Sequence, residues 1–236
     1  MALPKLNESI KYEMEIPSTG NIVTYRPYLV KEEKILLQAF EAQDQKLAMR
    51  AMVDTVIACV FEPVKSSELS TFDVEYMFTQ IRSKSVGETA ELKGKCTAEE
   101  CDAQTDFTIN LTEVQVTKSD ASKIIELSDN ISVELRYPTY DGFVENYKEG
   151  ISETQFGMQM MEDCIVAVMT PDERIDVSEV PRSEVRDFID GMTNKQFQLI
   201  GEFLNTAPKM TKDVEFICSE CGHENKITLE GLQDFF

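Results

Sequence analysis

The 236-residue sequence has no tryptophan, one histidine, 10 glycines and 8 prolines. With His223 as the sole imidazole, there is nothing from which to assemble a Ser-His-Asp or Cys-His catalytic arrangement. Sparse glycine goes with the lack of a Gly-rich phosphate-binding loop, so no small-molecule substrate is expected. No apolar run approaches the ~20 residues that a membrane-spanning helix needs. The segment Met1 to Glu8 carries neither the basic stretch nor the apolar stretch of a secretion signal, and the expectation is a protein of the cytoplasm in which it is made. Basic residues are scarce as well: 23 Lys and Arg stand against 43 Asp and Glu, a formal net charge of −20. Such a surface repels phosphate backbones, and no basic patch with interleaved aromatics offsets it, which argues against nucleic acid as a partner. A basic protein surface suits this charge, because opposite potentials steer association, although the same charge also serves solubility alone.

The chain is long enough for one large domain or two small ones sharing a core, and a 42% hydrophobic fraction supplies that core. Ile10, Tyr12, Met14 and Ile16 alternate with polar residues, Pro17 to Gly20 has turn chemistry, and Ile22 to Tyr25 is extended again, which predicts a hairpin. A long helix is expected from Lys31 to Val60, ended by Pro63, and a second from Thr71 to about Gly87 with Val74, Met77, Phe78 and Ile81 inward. Strands are expected at Thr89 to Cys96, Phe107 to Val116, Lys123 to Leu127 and Ile131 to Tyr137. Ser152 with Gln155 and Thr193 with Gln196 have capping-box spacing and mark two helix starts. The first predicted helix runs through Met158, Met160, Met161, Ile165 and Val168 to Pro171; the second carries Phe197, Ile200, Phe203 and Leu204 and stops before Pro208. A shorter helix is expected near Pro181 to Met192, and a last hairpin from Val214 to Phe236. These elements make an α+β fold: a helical body with antiparallel β-hairpins. Its parts are an N-terminal hairpin with helices over residues 1–87 and a β-rich and helical region over 88–236, expected to form one folding unit.

Six cysteines fall into two groups. Cys59 and Cys164 lie on predicted helices among apolar neighbours and read as core residues. Cys96-x4-Cys101 and Cys218-x2-Cys221 each lie at the tip of a predicted hairpin. A tight turn aims two sulfurs at one point, and two such turns facing each other complete the tetrahedral four-thiolate shell that zinc prefers. The two segments also resemble one another. Cys101 leads to Phe107-Thr108-Ile109-Asn110-Leu111 and Val114, and Cys221 leads to Lys226-Ile227-Thr228-Leu229 and Leu232, each like half of a zinc ribbon. The halves stand 116 residues apart, so the module is discontinuous and the metal would clamp remote segments together. Reduced free thiols and a redox Cys-x2-Cys are the alternatives; disulfides fit a cytoplasmic protein poorly. His223 could replace a cysteine as ligand, although four thiolates suffice. A closed shell leaves no position for water, so such a metal would be structural, and the carboxylate pairs Glu32-Glu33, Glu99-Glu100 and Asp172-Glu173 read as solvated turns or helix starts.

Three stretches together resemble the baseplate hub-assembly proteins of T-even-type phages. They are Ile16 to Gly20 running into Tyr25-Arg26-Pro27-Tyr28-Leu29-Val30-Lys31-Glu32-Glu33-Lys34, the hairpin with Cys96 and Cys101, and the ending from Cys218 to Asn225 that closes on Leu232-Gln233-Asp234-Phe235-Phe236. The longer x4 gap at Cys96 and Cys101 departs from the pattern. The resemblance implies a non-enzymatic part in building the central hub of a contractile tail, as chaperone or resident subunit, with phage tail or hub proteins as partners. A zinc-ribbon regulator contacting nucleic acid or polymerase is the competing reading, opposed by Glu99, Glu100, Asp102, Glu220 and Glu224 around the cysteines. Phe235 and Phe236 are candidates either for docking onto a partner or for plugging the protein's own core.

Overall fold

The computed structural model describes residues 11–235; the expectations for Ile10 and Phe236 lie outside them. Its α+β chain opens with an antiparallel hairpin, β1 (Tyr12–Glu15) and β2 (Ile22–Tyr25), turned at Gly20 with φ 72. Helices α1 (Val30–Glu41), α2 (Gln45–Cys59) and α3 (Thr71–Ser85) follow, then the β3 (Thr89–Lys95) and β4 (Gln104–Asn110) hairpin and the short β5 (Gln115–Val116). Next come β6 (Ile124–Ser128), β7 (Ile131–Leu135), α4 (Tyr140–Asn146), α5 (Glu153–Cys164), β8 (Ile165–Met169), β9 (Arg174–Asp176), α6 (Arg182–Asp190) and α7 (Asn194–Asn205). The chain ends on the β10 (Met210–Ile217) and β11 (Glu224–Glu230) hairpin.

These elements form two compact units. Unit 2 holds Ser67–Thr71 and Lys118–Pro208, and unit 1 holds the other described residues. In unit 2 the four-stranded antiparallel sheet β6-β7-β8-β9 carries α5, α6 and α7, and its core includes Val133, Leu135, Met161, Ile165, Ile200 and Phe203. In unit 1, β10 pairs with β11 on one side and β5 on the other, around a core of Ala90, Ile109, Leu111, Val114, Met210, Val214, Leu229 and Phe235. The segment 118–208 leaves unit 1 and returns to it at one place: the Thr117 amide donates to the Lys209 carbonyl at 2.9 Å, and the Lys209 amide to the Thr117 hydroxyl at 2.9 Å.

Three expectations are corrected. The helix expected from Lys31 to Val60 is two helices. Gln43 takes a left-handed φ of 55, and the Asp44 carboxylate accepts the Leu47 amide at 3.0 Å, so an aspartate cap restarts the chain as α2. The Met-rich helix does not continue to Val168: it stops at Cys164, and Ile165–Met169 is a strand paired on both sides, by β7 and β9. A short apolar run with β-branched residues reads alike as buried helix or as central strand, and here the sheet claims it. The strand expected from Phe107 to Val116 breaks after Asn110, whose side chain accepts the Thr112 amide at 3.0 Å and starts a single helical turn, Leu111–Glu113.

The remaining helix signals match local structure. The Thr193 hydroxyl accepts the Gln196 amide while the Gln196 side chain reaches back to the Thr193 amide at 2.8 Å, which closes a capping box at the start of α7. On α3, Val74, Met77 and Ile81 are fully buried. Among the described residues no helix is long and apolar enough to cross a membrane.

Candidate metal centre

Both cysteine pairs sit where a two-stranded ladder runs out. Past the Lys95–Gln104 rung of β3 and β4, the Cys96 amide donates to the Ala103 carbonyl at 2.9 Å, and the turn closes with the Cys101 amide on the Ala98 carbonyl at 3.1 Å. Past the Ile217–Glu224 rung of β10 and β11, the Cys218 amide donates to the His223 carbonyl at 2.9 Å, and the Gly222 amide to the Cys218 carbonyl at 3.0 Å. Gly222 has φ 72, a conformation that glycine reaches without the Cβ penalty. The first cysteine of each pair therefore follows directly on a strand, and the second lies across the turn from it.

The two hairpins lie face to face within unit 1. Phe107 from β4 stacks on Phe216 from β10, and Gly94 leaves the space that those rings fill: a Cβ there would stand 2.5 Å from the Phe216 ring. Beyond the rings the Ser219 amide donates to the Thr105 hydroxyl at 3.1 Å. The Thr97 amide donates to the Asn225 side-chain oxygen at 2.7 Å.

These contacts bring Cys96, Cys101, Cys218 and Cys221 together, with all four sulfurs within 4.8 Å of one another. The first cysteine of each hairpin meets the second of the other, Cys96 with Cys221 at 3.7 Å and Cys218 with Cys101 at 3.8 Å. Thiolates about 2.3 Å from a central zinc stand about 3.8 Å apart along each edge of a tetrahedron, so the sulfur spacing fits that shell. All four are free thiols; Cys96 and Cys218 are buried, Cys101 is half-buried and Cys221 exposed.

Their electrostatics fit a cation as well. The amides of Cys221 and Glu220 point at the Cys218 sulfur and hold its pKa down to about 6. Cys101 receives the Ala103 amide, yet the neighbouring Cys221 thiol, burial, Cys218 and Cys96 together push it up to about 12. Cys221 likewise shifts upward despite the His223 amide, through burial and the Cys218 sulfur. One thiolate is favoured here, and several are not, because their charges repel at this distance; a divalent cation removes that obstacle.

Two other expectations concern cysteines outside the cluster and the histidine beside it. Cys59 and Cys164 are buried, their thiols pushed up to about 11 and about 12, mainly by burial, and neither joins the group. His223 is exposed, and its imidazole is outside the group of potential ligands. Phe235 is 0% exposed and packs into the unit 1 core with Leu111, Met210 and Leu229.

Gly94 and Asn225 escaped sequence reasoning. Asn225 left a faint trace. In β11 it shares the inward register with Ile227 and Leu229, where a polar residue is out of pattern.

The model of the protein family described as T4 bacteriophage base plate protein matches residues 9–236. Baseplate hub assembly protein gp26 of Enterobacteria phage T4 is 22% identical over 228 residues, a span that covers 96% of this chain and 98% of that protein. No solved structure matches the chain. With a match that runs through both cysteine hairpins, the chain belongs to the T4 bacteriophage base plate protein family.

Proposed function

We propose that this protein acts in assembly of the baseplate hub of a contractile phage tail, through protein–protein contacts and without catalysis, with unit 1 stapled by one structural zinc. The hub role is supported by a hub-assembly relative aligned over nearly the full length of both chains. The zinc is supported by the four converging sulfurs of Cys96, Cys101, Cys218 and Cys221, which make the two hairpins a discontinuous zinc-ribbon-like module. A four-thiolate shell has no open coordination position, so the metal holds segments together and activates no water. Exposed Glu99, Glu100, Asp102, Glu220 and Glu224 surround the cysteines, and this favours tail or hub proteins over nucleic acid as partners. The work takes place in the host cytoplasm during assembly.

The test is genetic and biochemical. Removing the gene from the phage that carries it should leave lysates without complete baseplates, and supplying the wild-type protein in trans should restore them. Complete tails formed in its absence would overturn the proposal. Mass spectrometry of purified tails then separates the two forms of the role, since a resident subunit persists in the particle and a chaperone does not.

A further inference from the structure

Asn225 is 1% exposed and stands at the start of β11, four residues beyond Cys221. Its side-chain oxygen accepts two hydrogen bonds from Thr97, the residue after Cys96: from the amide at 2.7 Å and from the hydroxyl at 2.9 Å. Its side-chain nitrogen donates to the His223 carbonyl at 3.0 Å and the Phe216 carbonyl at 3.5 Å. The His223 carbonyl also receives the Cys218 amide, so it belongs to the turn that carries Cys218 and Cys221. Both acceptor sites and both donors of the carboxamide are thereby used. One buried side chain ties the backbone beside Cys96 to the opposite knuckle.

We infer that Asn225 is a positioning residue for the metal site, setting the distance between the two half-sites so that their sulfurs converge; this rests on the zinc reading. Packing alone does not call for an amide here. Ile227 and Leu229 follow in the same inward register, where an apolar residue would pack without the cost of burying polar atoms. What the amide adds is direction, because a satisfied buried polar group specifies one geometry. The isostere Asn225→Asp keeps the acceptor, loses both donors, and sets a carboxylate against the His223 and Phe216 carbonyls. Thr97→Val removes only the hydroxyl bond, and Thr97→Ser removes none. Partners that orient ligands contribute about 10–100-fold to metal affinity.

The experiment uses the full chain, reduced and metal-free, titrated with cobalt(II) and then with zinc against a chromogenic chelator. Asn225→Asp should bind about 10–100-fold more weakly, with a shifted cobalt–thiolate absorption band; Thr97→Val should fall between, and Thr97→Ser should match wild type. Thermal unfolding of the metal-free variants is measured alongside, since a merely structural residue would lower stability and leave the band position and relative affinity alone. If Asn225→Asp does not fold, the Thr97 pair decides the matter. Wild-type binding with Asn225→Asp or Thr97→Val unchanged would overturn this inference and leave zinc standing. A wild-type chain that takes up neither metal would overturn the zinc reading beneath it.

Discussion

The rings of Phe107 and Phe216 stack with centroids 5.0 Å apart and planes 10° from parallel, and Gly94 sits against both. A Cβ at that glycine would lie 2.5 Å from Phe216 and 2.8 Å from Phe107. Gly94→Ala should therefore push the hairpins apart at a cost of about 1–3 kcal/mol, the range for overpacking a tight site. Urea denaturation checks this; a midpoint equal to wild type would mean that the rings yield freely.

The metal prediction is a stoichiometry. Protein purified without chelators should carry one zinc per chain by elemental analysis, and Cys218→Ser should lose it together with order in the β10–β11 turn. Cys59→Ala should keep the metal, because Cys59 is buried outside the cluster. Full zinc content in Cys218→Ser would remove that residue from the ligand set.

Phe235 offers a measure of how much the chain's ending holds unit 1 together. Its ring is 0% exposed, so Phe235→Ala should cost about 3–5 kcal/mol, as large-to-small core substitutions do. Deleting Phe235 and Phe236 should likewise lower the melting temperature. Normal stability with failed tail assembly would instead make the segment a docking element.

Two glutamates predict opposite pH responses. Burial raises Glu75 from 4.5 to about 7, so its folded form prefers the proton, and stability is lost as pH rises from about 4.5 to about 7. Glu75→Gln should raise the melting temperature at pH 8 and change little at pH 4. Glu32 is buried more fully than the half-buried Glu75, but hydrogen bonds from Arg26 at 2.8 Å and the Leu29 amide at 2.9 Å, with Lys31, hold it at about 2. Its contribution is present above 4.5 and lost as pH falls toward 2, so Glu32→Gln should destabilise at pH 7 and become neutral in strong acid. Equal effects of either substitution at both pH values would contradict the assignment.

A protease cut near Gly87 should leave the fragments associated. Residues on both sides belong to unit 1, where the Gln80 carboxamide reaches the Leu111 carbonyl at 3.4 Å and the Thr79 hydroxyl meets the Met210 sulfur at 3.4 Å. Two stable fragments that separate on size exclusion would establish an independent N-terminal domain.

Much of this structure was legible where the signal is local. Thr193 and Gln196 announce their capping box at a fixed spacing, and the alternation around Pro17 to Gly20 announces its hairpin. Cysteines at two hairpin tips were enough to foresee the cluster that Cys96, Cys101, Cys218 and Cys221 form. What stayed hidden depends on partners far along the chain. Ile165 to Met169 is a strand because β7 and β9 lie beside it, and Asn225 is inward because Thr97 waits 128 residues away. Glu32 stands at a helix start, one of the two readings its pair with Glu33 allows, yet it is 4% exposed and paired with Arg26. The break at Gln43 does carry a local signal, since Asp44 is an ordinary helix cap.

The meeting of Thr117 with Lys209 changes what the cysteine spacing means. Measured along the chain, a metal joining Cys101 to Cys218 shuts a very long loop. The two hydrogen bonds between Thr117 and Lys209 have already shut it at the neck, leaving the metal two short arms to bring together, Cys101 to Thr117 and Lys209 to Cys218. Closure entropy rises only slowly with loop length, about 0.6 kcal/mol for each doubling, and here even that dependence ends at the neck. Growth or shrinkage of the segment 118–208 would leave both arms their present length, and with them the geometry in which the four sulfurs meet.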